Sequence, residues 1–172
     1  MKKIILVGYM AVGKTTIAQL LSKKIEIEWI DLDKLIEKEL RLSVSEIFKQ
    51  KGEVYFRKVE HELFKECLKS TTDTIISTGG GTPCYANNHL LLKGENTISV
   101  YLKASIETVF ERLKSEKQHR PLVENQSEAE LKEFIAKHLF ERSYFYNQAT
   151  YTIAVDTKTP QAIVEELIAL LN

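Results

Sequence analysis

Cysteine is scarce in this chain of 172 residues, where only Cys67 and Cys84 occur. The two form no CxxC pair, so a zinc site built from closely spaced thiolates is not expected. Disulfides belong to oxidising compartments, and two isolated cysteines are typical of reduced thiols in a cytoplasmic protein.

The chain also lacks net charge, because 24 Lys and Arg residues balance 24 Asp and Glu residues. A nonspecific nucleic-acid-binding protein would carry an excess of positive charge, so that class is disfavoured. Long hydrophobic runs are absent as well. The run Ile4–Val7 ends at Gly8, whereas a signal peptide needs roughly 7–15 apolar residues and a membrane helix about 20. The sequence therefore predicts a cytoplasmic location, with no nucleic-acid or membrane partner.

The remaining composition, 44% hydrophobic and 28% charged, is that of an ordinary globular protein. No repeat, low-complexity segment or linker divides the chain, so residues 1–172 are predicted to form a single domain. Short apolar runs alternate with amphipathic segments. Strands are predicted at 4–7, 28–31, 74–77, 98–102 and 151–155, and helices at 14–24, 33–40, 53–69, 105–114, 127–146 and from 160 onward, with a short helix after Ser43. This alternation predicts βαβ units and a mostly parallel sheet covered by helices.

Residues 8–15 read Gly-Tyr-Met-Ala-Val-Gly-Lys-Thr and match GxxxxGK[ST] without a mismatch. Such a loop cradles phosphates with its backbone N–H groups at the start of a helix. Lys14 would reach the β- and γ-phosphates and the Thr15 hydroxyl would bind Mg²⁺. The alternative is a glycine turn with a surface lysine, but the strand before the loop and the helix after it favour phosphate binding. Without an NKxD guanine signature, a single P-loop in a short chain indicates a small kinase.

Asp31 and Asp33 close the second predicted strand. In an extended segment residues i and i+2 point the same way, so both carboxylates would face the sheet edge where ligands bind. One could hold Mg²⁺, and the other could accept the proton of a substrate hydroxyl. The alternative is an aspartate that caps the next helix, beside an unrelated one. The two residues alone leave both interpretations open.

Arg57 and Glu60 lie three residues apart on a predicted helix and share a face. They form either a surface ion pair worth about 0–1 kcal/mol or a guanidinium that Glu60 aims at a substrate carboxylate. Residues 79–81 are three glycines after a strand, which a ligand can approach closely; a flexible turn is the alternative. Arg120, in a polar loop, could reach the transferring phosphate, and Arg142 follows on the next helix.

Together these motifs resemble the shikimate kinase family over nearly the whole chain. They are the P-loop at 8–15, DxD at 31–33, FRxxE at 56–60, GGG at 79–81, RPL at 120–122, and an arginine before an aromatic-rich segment at 142–146. The resemblance implies a monomeric, Mg²⁺-dependent enzyme that transfers the γ-phosphoryl group of ATP to the 3-hydroxyl of shikimate, toward chorismate and the aromatic amino acids. It also implies a three-layer α/β/α P-loop fold with a five-stranded parallel sheet in the order 2-3-1-4-5. A substrate-binding helical region is expected at about 32–60 and a lid at about 114–126.

The resemblance further implies a role for each site residue. ATP would be bound by Gly8, Ala11, Val12, Gly13, Lys14, Thr15, Thr16, Arg112, Arg120 and Pro160. Shikimate would be bound by Asp33, Phe48, Phe56, Arg57, Gly79, Gly80, Gly81 and Arg142. The catalytic residues would be Lys14, Asp33 and Arg120, with Asp33 as the base. Thr15 and Asp31 would serve Mg²⁺, and Glu60 would orient Arg57.

Two segments differ from the family's usual pattern. The interior of the P-loop, residues 9–12, is larger than usual, and little consequence is expected because only its backbone contacts phosphate. Thr82, Pro83 and Cys84 stand where small apolar residues are commoner. The rival functions are another small P-loop kinase, acting on gluconate or a nucleoside monophosphate, and an ATP-binding regulator without turnover. The arginines and the glycine triplet favour an acidic carbocycle, and the full set of catalytic residues disfavours a regulator.

Overall fold

The computed structural model describes residues 2–115 and 127–171. Its strands are β1 (Lys3–Val7), β2 (Glu28–Asp31), β3 (Thr74–Ser77), β4 (Thr97–Lys103) and β5 (Tyr151–Ala154). They pair in parallel, in the order β2-β3-β1-β4-β5. The predicted fold class and strand order are confirmed.

Seven α-helices flank these strands within the described ranges. They are α1 (Lys14–Ile25), α2 (Leu32–Leu40), α3 (Val44–Lys51), α4 (Glu53–Lys69), α5 (Ile106–Ser115), α6 (Glu128–Tyr146) and α7 (Pro160–Leu171). They give the three-layer α/β/α arrangement, in which α1 packs against α7, α5 against α6, and α2, α3 and α4 against one another. Among the described helices, none combines the length and apolarity needed to cross a membrane.

The central strand β1 fixes the position of the P-loop. Every residue of β1 is buried, as expected for a strand with sheet neighbours on both sides and helices on both faces. Its neighbours are β3 and β4, so the chain crosses to opposite sides of β1 in its two halves. The P-loop leaves β1 at the carboxyl edge of the sheet at this switch point, where open parallel sheets bind ligands.

The helical region between β2 and β3 has well-defined ends. Ser43 and Glu46 form the capping box that their spacing predicts, and α3 follows. Gly52, with φ of +83°, ends α3 and begins α4. This positive φ favours glycine and lets the chain turn sharply between the two helices. The predicted bounds of α4 at 53–69 are confirmed.

Three local features differ from the predictions. Helix α2 begins at Leu32, so Asp33 lies in its first turn and not in an extended segment. Two short 3₁₀ helices, Thr82–Cys84 and Asn88–Leu92, follow the three glycines, where no element was predicted. Ser115 belongs to α5, and the rest of the predicted lid, residues 116–126 with Arg120, lies outside the described residues.

Candidate active site

A cavity of about 270 Å³ lies at the carboxyl ends of β1, β2 and β3. Its walls come from the P-loop, the start of α1, the end of β2 with the start of α2, and the loop after β3. The lining residues are Met10, Ala11, Gly13, Lys14, Thr15, Thr16, Asp31, Asp33, Thr78, Gly79 and Gly80. The fold thus brings the P-loop, the two aspartates and the glycine triplet together, although they are distant in sequence.

The P-loop needs glycine at both glycine positions of its motif. A Cβ atom on Gly8 would lie 2.7 Å from the backbone oxygen of Leu102, and the φ of Gly8 is +149°. Gly13 has φ of +99° and caps α1. Lys14 is buried, and its Nζ atom donates to the backbone oxygens of Gly8 (2.8 Å) and Tyr9 (2.9 Å). The ammonium group is therefore held against the loop, at the place where the lysine of a P-loop generally meets phosphate oxygens.

Thr15 and Asp31 form a cluster of oxygen atoms beside the P-loop. The Thr15 hydroxyl donates to Oδ2 of Asp31 at 2.8 Å and lies 3.4 Å from Oγ of Ser77. Oδ1 of Asp31 accepts from the backbone N–H of Lys34 and caps α2. Asp31 is therefore a helix cap and a cavity residue at once, so the two interpretations of its sequence position do not exclude each other.

Asp33 reaches the same cavity from the first turn of α2. The argument that an extended i, i+2 spacing aligns Asp31 and Asp33 was wrong, because the helix begins at Leu32. The two carboxylates meet because the chain turns from the strand directly into the helix at the sheet edge. Burial, together with the negative charges of Glu60 and Asp31, raises the pKa of Asp33 to about 6; the charges of Lys14 and Arg57 oppose this rise.

Arg57 and Glu60 form a largely buried ion pair. Nη1 of Arg57 donates to Oε2 of Glu60 at 2.9 Å, and the Glu60 side chain is fully buried while that of Arg57 is 16% exposed. The interpretation as an ordinary surface ion pair was therefore wrong. The guanidinium also lies 4.0 Å from the ring centroid of Tyr85 and 5.1 Å from that of Phe56. Arginine commonly packs against aromatic faces in this way.

The glycine triplet is in close contact with these charged side chains. A Cβ atom on Gly79 would lie 2.8 Å from Oδ1 of Asp33, and one on Gly81 would lie 2.6 Å from Nη2 of Arg57. The peptide oxygen of Gly80 accepts from the Tyr146 hydroxyl at 2.5 Å. Glycine at these two positions therefore leaves room for the Asp33 carboxylate and the Arg57 guanidinium.

Arg142, on α6, lies beside the P-loop residue Tyr9. Its guanidinium lies 5.5 Å from the ring centroid of Tyr9. Burial raises the pKa of the Cys84 thiol to about 11, and the positive charges of Arg142 and Arg57 oppose this rise. Both arginines therefore lie near the side chain of Cys84, which follows the glycine triplet.

The ring centroids of Phe48 and Phe56 lie 4.7 Å apart, and the two rings form an apolar wall next to Arg57.

A second cavity of about 230 Å³ lies on the other side of the P-loop. Nη1 of Arg112 donates to the backbone oxygens of Ala11 (3.2 Å) and Val12 (2.9 Å). Pro160, at the first position of α7, lines this cavity with Lys158. Arg112 and Pro160, both predicted on the nucleotide side, thus meet at the back of the loop.

Several residues around the site were missed in the sequence. Tyr9 was expected to contribute only its backbone, but its ring packs against Arg142. Tyr85 carried no motif signal. Thr82 was noted only as a departure from the small apolar residues usual there, and Lys158 was given no role of its own.

Comparisons with known proteins agree with this geometry. The family described as shikimate kinase matches residues 10–172. The chain is 56% identical to the shikimate kinase of Flavobacterium johnsoniae, over 99% of each chain. The crystal structure of shikimate kinase from Bacteroides thetaiotaomicron matches with a TM-score of 0.91 and 34% identity, covering 99% of this chain and 98% of that one. Shikimate kinase from Acinetobacter baumannii, solved in complex with shikimate, matches with a TM-score of 0.85 and 29% identity, covering 99% and 93%. The chain therefore belongs to the shikimate kinase family.

Proposed function

We propose that this ATP-dependent kinase transfers the γ-phosphoryl group of ATP to the 3-hydroxyl of shikimate, giving shikimate 3-phosphate and ADP. The observation that carries the proposal is the single cavity in which Lys14 and Asp33 meet, with Arg57 against the neighbouring Gly81. A phosphate-binding lysine, a carboxylate with a raised pKa and a guanidinium for an acidic acceptor are thereby brought within reach of one bound substrate. This arrangement suits transfer to the hydroxyl of a carboxylic acid.

The nucleotide would lie across the P-loop. The backbone from Gly8 to Gly13, with Thr15 and Thr16, would hold the phosphates at the start of α1, where N–H groups point at an anion. Lys14 would bind the β- and γ-phosphate oxygens in exchange for the loop carbonyls that it now contacts. Arg112 and Pro160 would flank the adenine, because they line the second cavity behind the loop.

The acceptor would lie between the glycine triplet and the aromatic wall. Arg57 and Arg142 would bind its carboxylate, since a planar guanidinium matches a carboxylate with two parallel hydrogen bonds. Gly79, Gly80 and Gly81 would allow a close approach of the ring, and Phe48 and Phe56 would cover its apolar face. Glu60 would keep Arg57 in its present orientation through their 2.9 Å hydrogen bond.

Asp33 would act on the acceptor hydroxyl. Its carboxylate would accept the proton as the hydroxyl oxygen attacks the γ-phosphorus and the bond to the ADP oxygen breaks. Phosphoryl transfer depends mainly on positioning and on stabilising charge at the phosphoryl oxygens. Lys14 would supply positive charge from the P-loop. Arg120, which the sequence places in a lid at 114–126, would supply further positive charge. This residue lies outside the described residues.

The residues beside the P-loop fit Mg²⁺. They offer the Thr15 hydroxyl and a carboxylate oxygen of Asp31, which lie 2.8 Å apart, and Mg²⁺ takes oxygen ligands, commonly one or two from the protein besides water and phosphate. When bound, the ion would neutralise charge on the nucleotide phosphates. A dedicated cage is not needed, and the described residues contain no cluster of three His, Cys, Asp or Glu side chains suited to a metal.

The organisation of the chain completes the proposal. Residues 1–172 would form one monomeric, cytoplasmic catalytic domain, with its substrate-binding region at about 32–60. The single domain rests on the ordinary globular composition and on the absence of a linker in the sequence, and the cytoplasmic location rests on the shortness of the hydrophobic runs.

ADP release by the purified protein with Mg-ATP, with and without shikimate, tests the function. Quinate, gluconate and AMP serve as parallel acceptors. We expect shikimate-dependent turnover that exceeds that of the other three, and its loss in Lys14→Ala but not in Lys24→Ala, which removes an exposed charge from the same helix. Turnover on gluconate or AMP alone would assign the chain to another kinase class. ATP binding without turnover on any acceptor would indicate a regulator.

A further inference from the structure

Thr82 is a buried polar residue that the proposed mechanism does not use. It follows the glycine triplet at the start of the first 3₁₀ helix and is fully buried. Its hydroxyl donates to Oε1 of Glu60 at 2.7 Å. A threonine was not expected here, because small apolar residues are commoner at this position in the resembling family.

The Thr82 hydroxyl completes the hydrogen bonding of a fully buried carboxylate. Oε2 of Glu60 accepts from Arg57 at 2.9 Å, and Oε1 accepts from Thr82. The two contacts hold the carboxylate at both oxygens, so its plane and its distance from Arg57 are fixed together. Without the hydroxyl, Oε1 would be left unsatisfied in the protein interior, which is costly for a buried acceptor. The carboxylate would then turn or move, and the guanidinium with it.

Asn88 links the backbone of Thr82 to helix α4. Nδ2 of Asn88 donates to the backbone oxygen of Thr82 at 2.9 Å, and Oδ1 of Asn88 lies 2.6 Å from Nδ1 of His61. Glu60 and His61 are adjacent on α4, so the helix contacts the loop twice, at Thr82 through Glu60 and at Asn88 through His61. Thr82 and Asn88 are both fully buried. Water therefore does not compete for these hydrogen bonds, and the position of the loop determines the position of the Glu60 carboxylate.

We infer that Thr82 is a positioning residue of the acceptor site, which acts through Glu60 to fix the direction of the Arg57 guanidinium. The inference rests on the proposed function only for the identity of the acceptor. It assigns the hydroxyl, and not the size of the side chain, as the feature that matters. The sequence segment after the glycines thereby takes part in acceptor recognition through Glu60 and Arg57.

Steady-state kinetics of Thr82→Val and Thr82→Ser test the inference. Valine keeps the shape and removes the hydroxyl, whereas serine keeps the hydroxyl. We expect T82V to raise the KM for shikimate roughly ten-fold, the order of effect for a hydrogen bond to a charged group. The KM for ATP should stay unchanged, and T82S should resemble the unsubstituted protein. Equal KM values for shikimate in T82V and the unsubstituted protein, or equal losses for both substrates, would overturn the inference. If T82V does not fold, Thr82→Ala carries the same comparison.

A double-substitution cycle shows whether the effect passes through Arg57. In an Arg57→Ala background, T82V should add little to the KM for shikimate, because coupled residues are not additive. Full additivity would contradict the inference.

A measurement on the free protein separates the inference from the proposed function. In ¹⁵N NMR spectra, the guanidinium signals of Arg57 should show hindered rotation in the unsubstituted protein and in T82S, and averaging in T82V. Spectra of Arg57 that do not differ between T82V and T82S would overturn the inference even if shikimate is the substrate. If the unsubstituted protein does not turn over shikimate, the proposed function is overturned. The NMR comparison would still decide the role of Thr82.

Discussion

Asp33 and Glu60 direct one carboxylate oxygen each toward the same point above Gly79. Oδ1 of Asp33 and Oε1 of Glu60 lie 2.8 Å and 3.2 Å from the position that a Cβ atom on Gly79 would take. Two negative charges converge there in a buried space, and this explains why the negative charge of Glu60 adds to burial in raising the pKa of Asp33 to about 6. A Cβ atom at residue 79 would displace the Asp33 carboxylate and crowd that of Glu60, so glycine allows both their present positions.

The raised pKa predicts the pH dependence of turnover. Asp33 must be ionised to accept a proton, so kcat/KM for shikimate should fall as the pH drops through about 6.

The Asp33→Asn variant should bind ATP normally and lose about 10²-fold or more in kcat. Initial rates between pH 5 and 9 measure both effects, with the surface substitution Asp73→Asn as the control. Turnover of D33N equal to that of the control would remove Asp33 as the base.

The same substitution should stabilise the protein. The pKa of Asp33 is raised in the folded state from 3.8 to about 6, so ionisation penalises folding above pH 6 and has no effect below about pH 4. The Asp33 contribution therefore becomes unfavourable as the pH rises through this window. At pH 8, D33N should raise the free energy of unfolding by about 1–3 kcal/mol, since one pKa unit corresponds to about 1.4 kcal/mol. Urea unfolding at pH 4 and pH 8 tests this, and a gain of equal size at both values would contradict it.

The close contacts of the glycine triplet predict two separable defects. Gly79→Ala should displace the Asp33 carboxylate and lower kcat, by roughly 10²-fold for a displacement near 1 Å. Gly81→Ala should displace the Arg57 guanidinium, whose Nη2 lies 2.6 Å from the new Cβ position, and mainly raise the KM for shikimate. Both displaced groups are ends of side chains, so the fold should persist. Gly94→Ala serves as a control outside the site, and matching kinetic defects in G79A and G81A would argue against separate roles.

Much of this site could be predicted because its motifs are contiguous in sequence. The P-loop carries its lysine, its hydroxyl and its glycines within eight residues, and the apolar run of β1 gives its place in the sheet. Asp33 was placed at the sheet edge for the wrong reason, since β2 ends at Asp31, two residues before the end of the extended segment that the argument needed. Its position at the carboxyl edge of a parallel sheet, rather than its spacing from Asp31, directs it into the cavity.

The contacts that could not be predicted join residues far apart in sequence. Thr82 and Glu60 are 22 residues apart. Arg142, near the end of the chain, contacts Tyr9, near its start. Neither contact follows from periodicity or from a motif, because each depends on how the loop after β3 and helix α6 pack on the P-loop. The burial of Glu60 has the same origin. An i, i+3 pair looks alike on a solvent-exposed face and on a buried one, so sequence spacing left both interpretations of Arg57 and Glu60 open.

Arg57 should affect the acceptor much more than the nucleotide. Arg57→Ala removes the guanidinium and leaves the fully buried Glu60 with one partner fewer. We expect the KM for shikimate to rise at least about ten-fold, while the dissociation constant of ADP stays unchanged. Lys58→Ala is the matched control, because it removes an exposed positive charge from the next position on α4. Comparable losses of shikimate and ADP binding in R57A would contradict the assignment of Arg57 to the acceptor carboxylate.

Asp31 should influence the dependence of turnover on Mg²⁺. Removal of divalent cations by a chelator should abolish phosphoryl transfer. Asp31→Asn keeps an oxygen that can accept from the backbone N–H of Lys34, so the cap of α2 should survive. It removes the negative charge beside Thr15, and Mg²⁺ prefers carboxylate oxygens to neutral ones in such sites. The Mg²⁺ concentration for half-maximal turnover should therefore rise roughly ten-fold or more, with the melting temperature unchanged. A shift in melting temperature without a change in the Mg²⁺ requirement would show that Asp31 serves only as a helix cap.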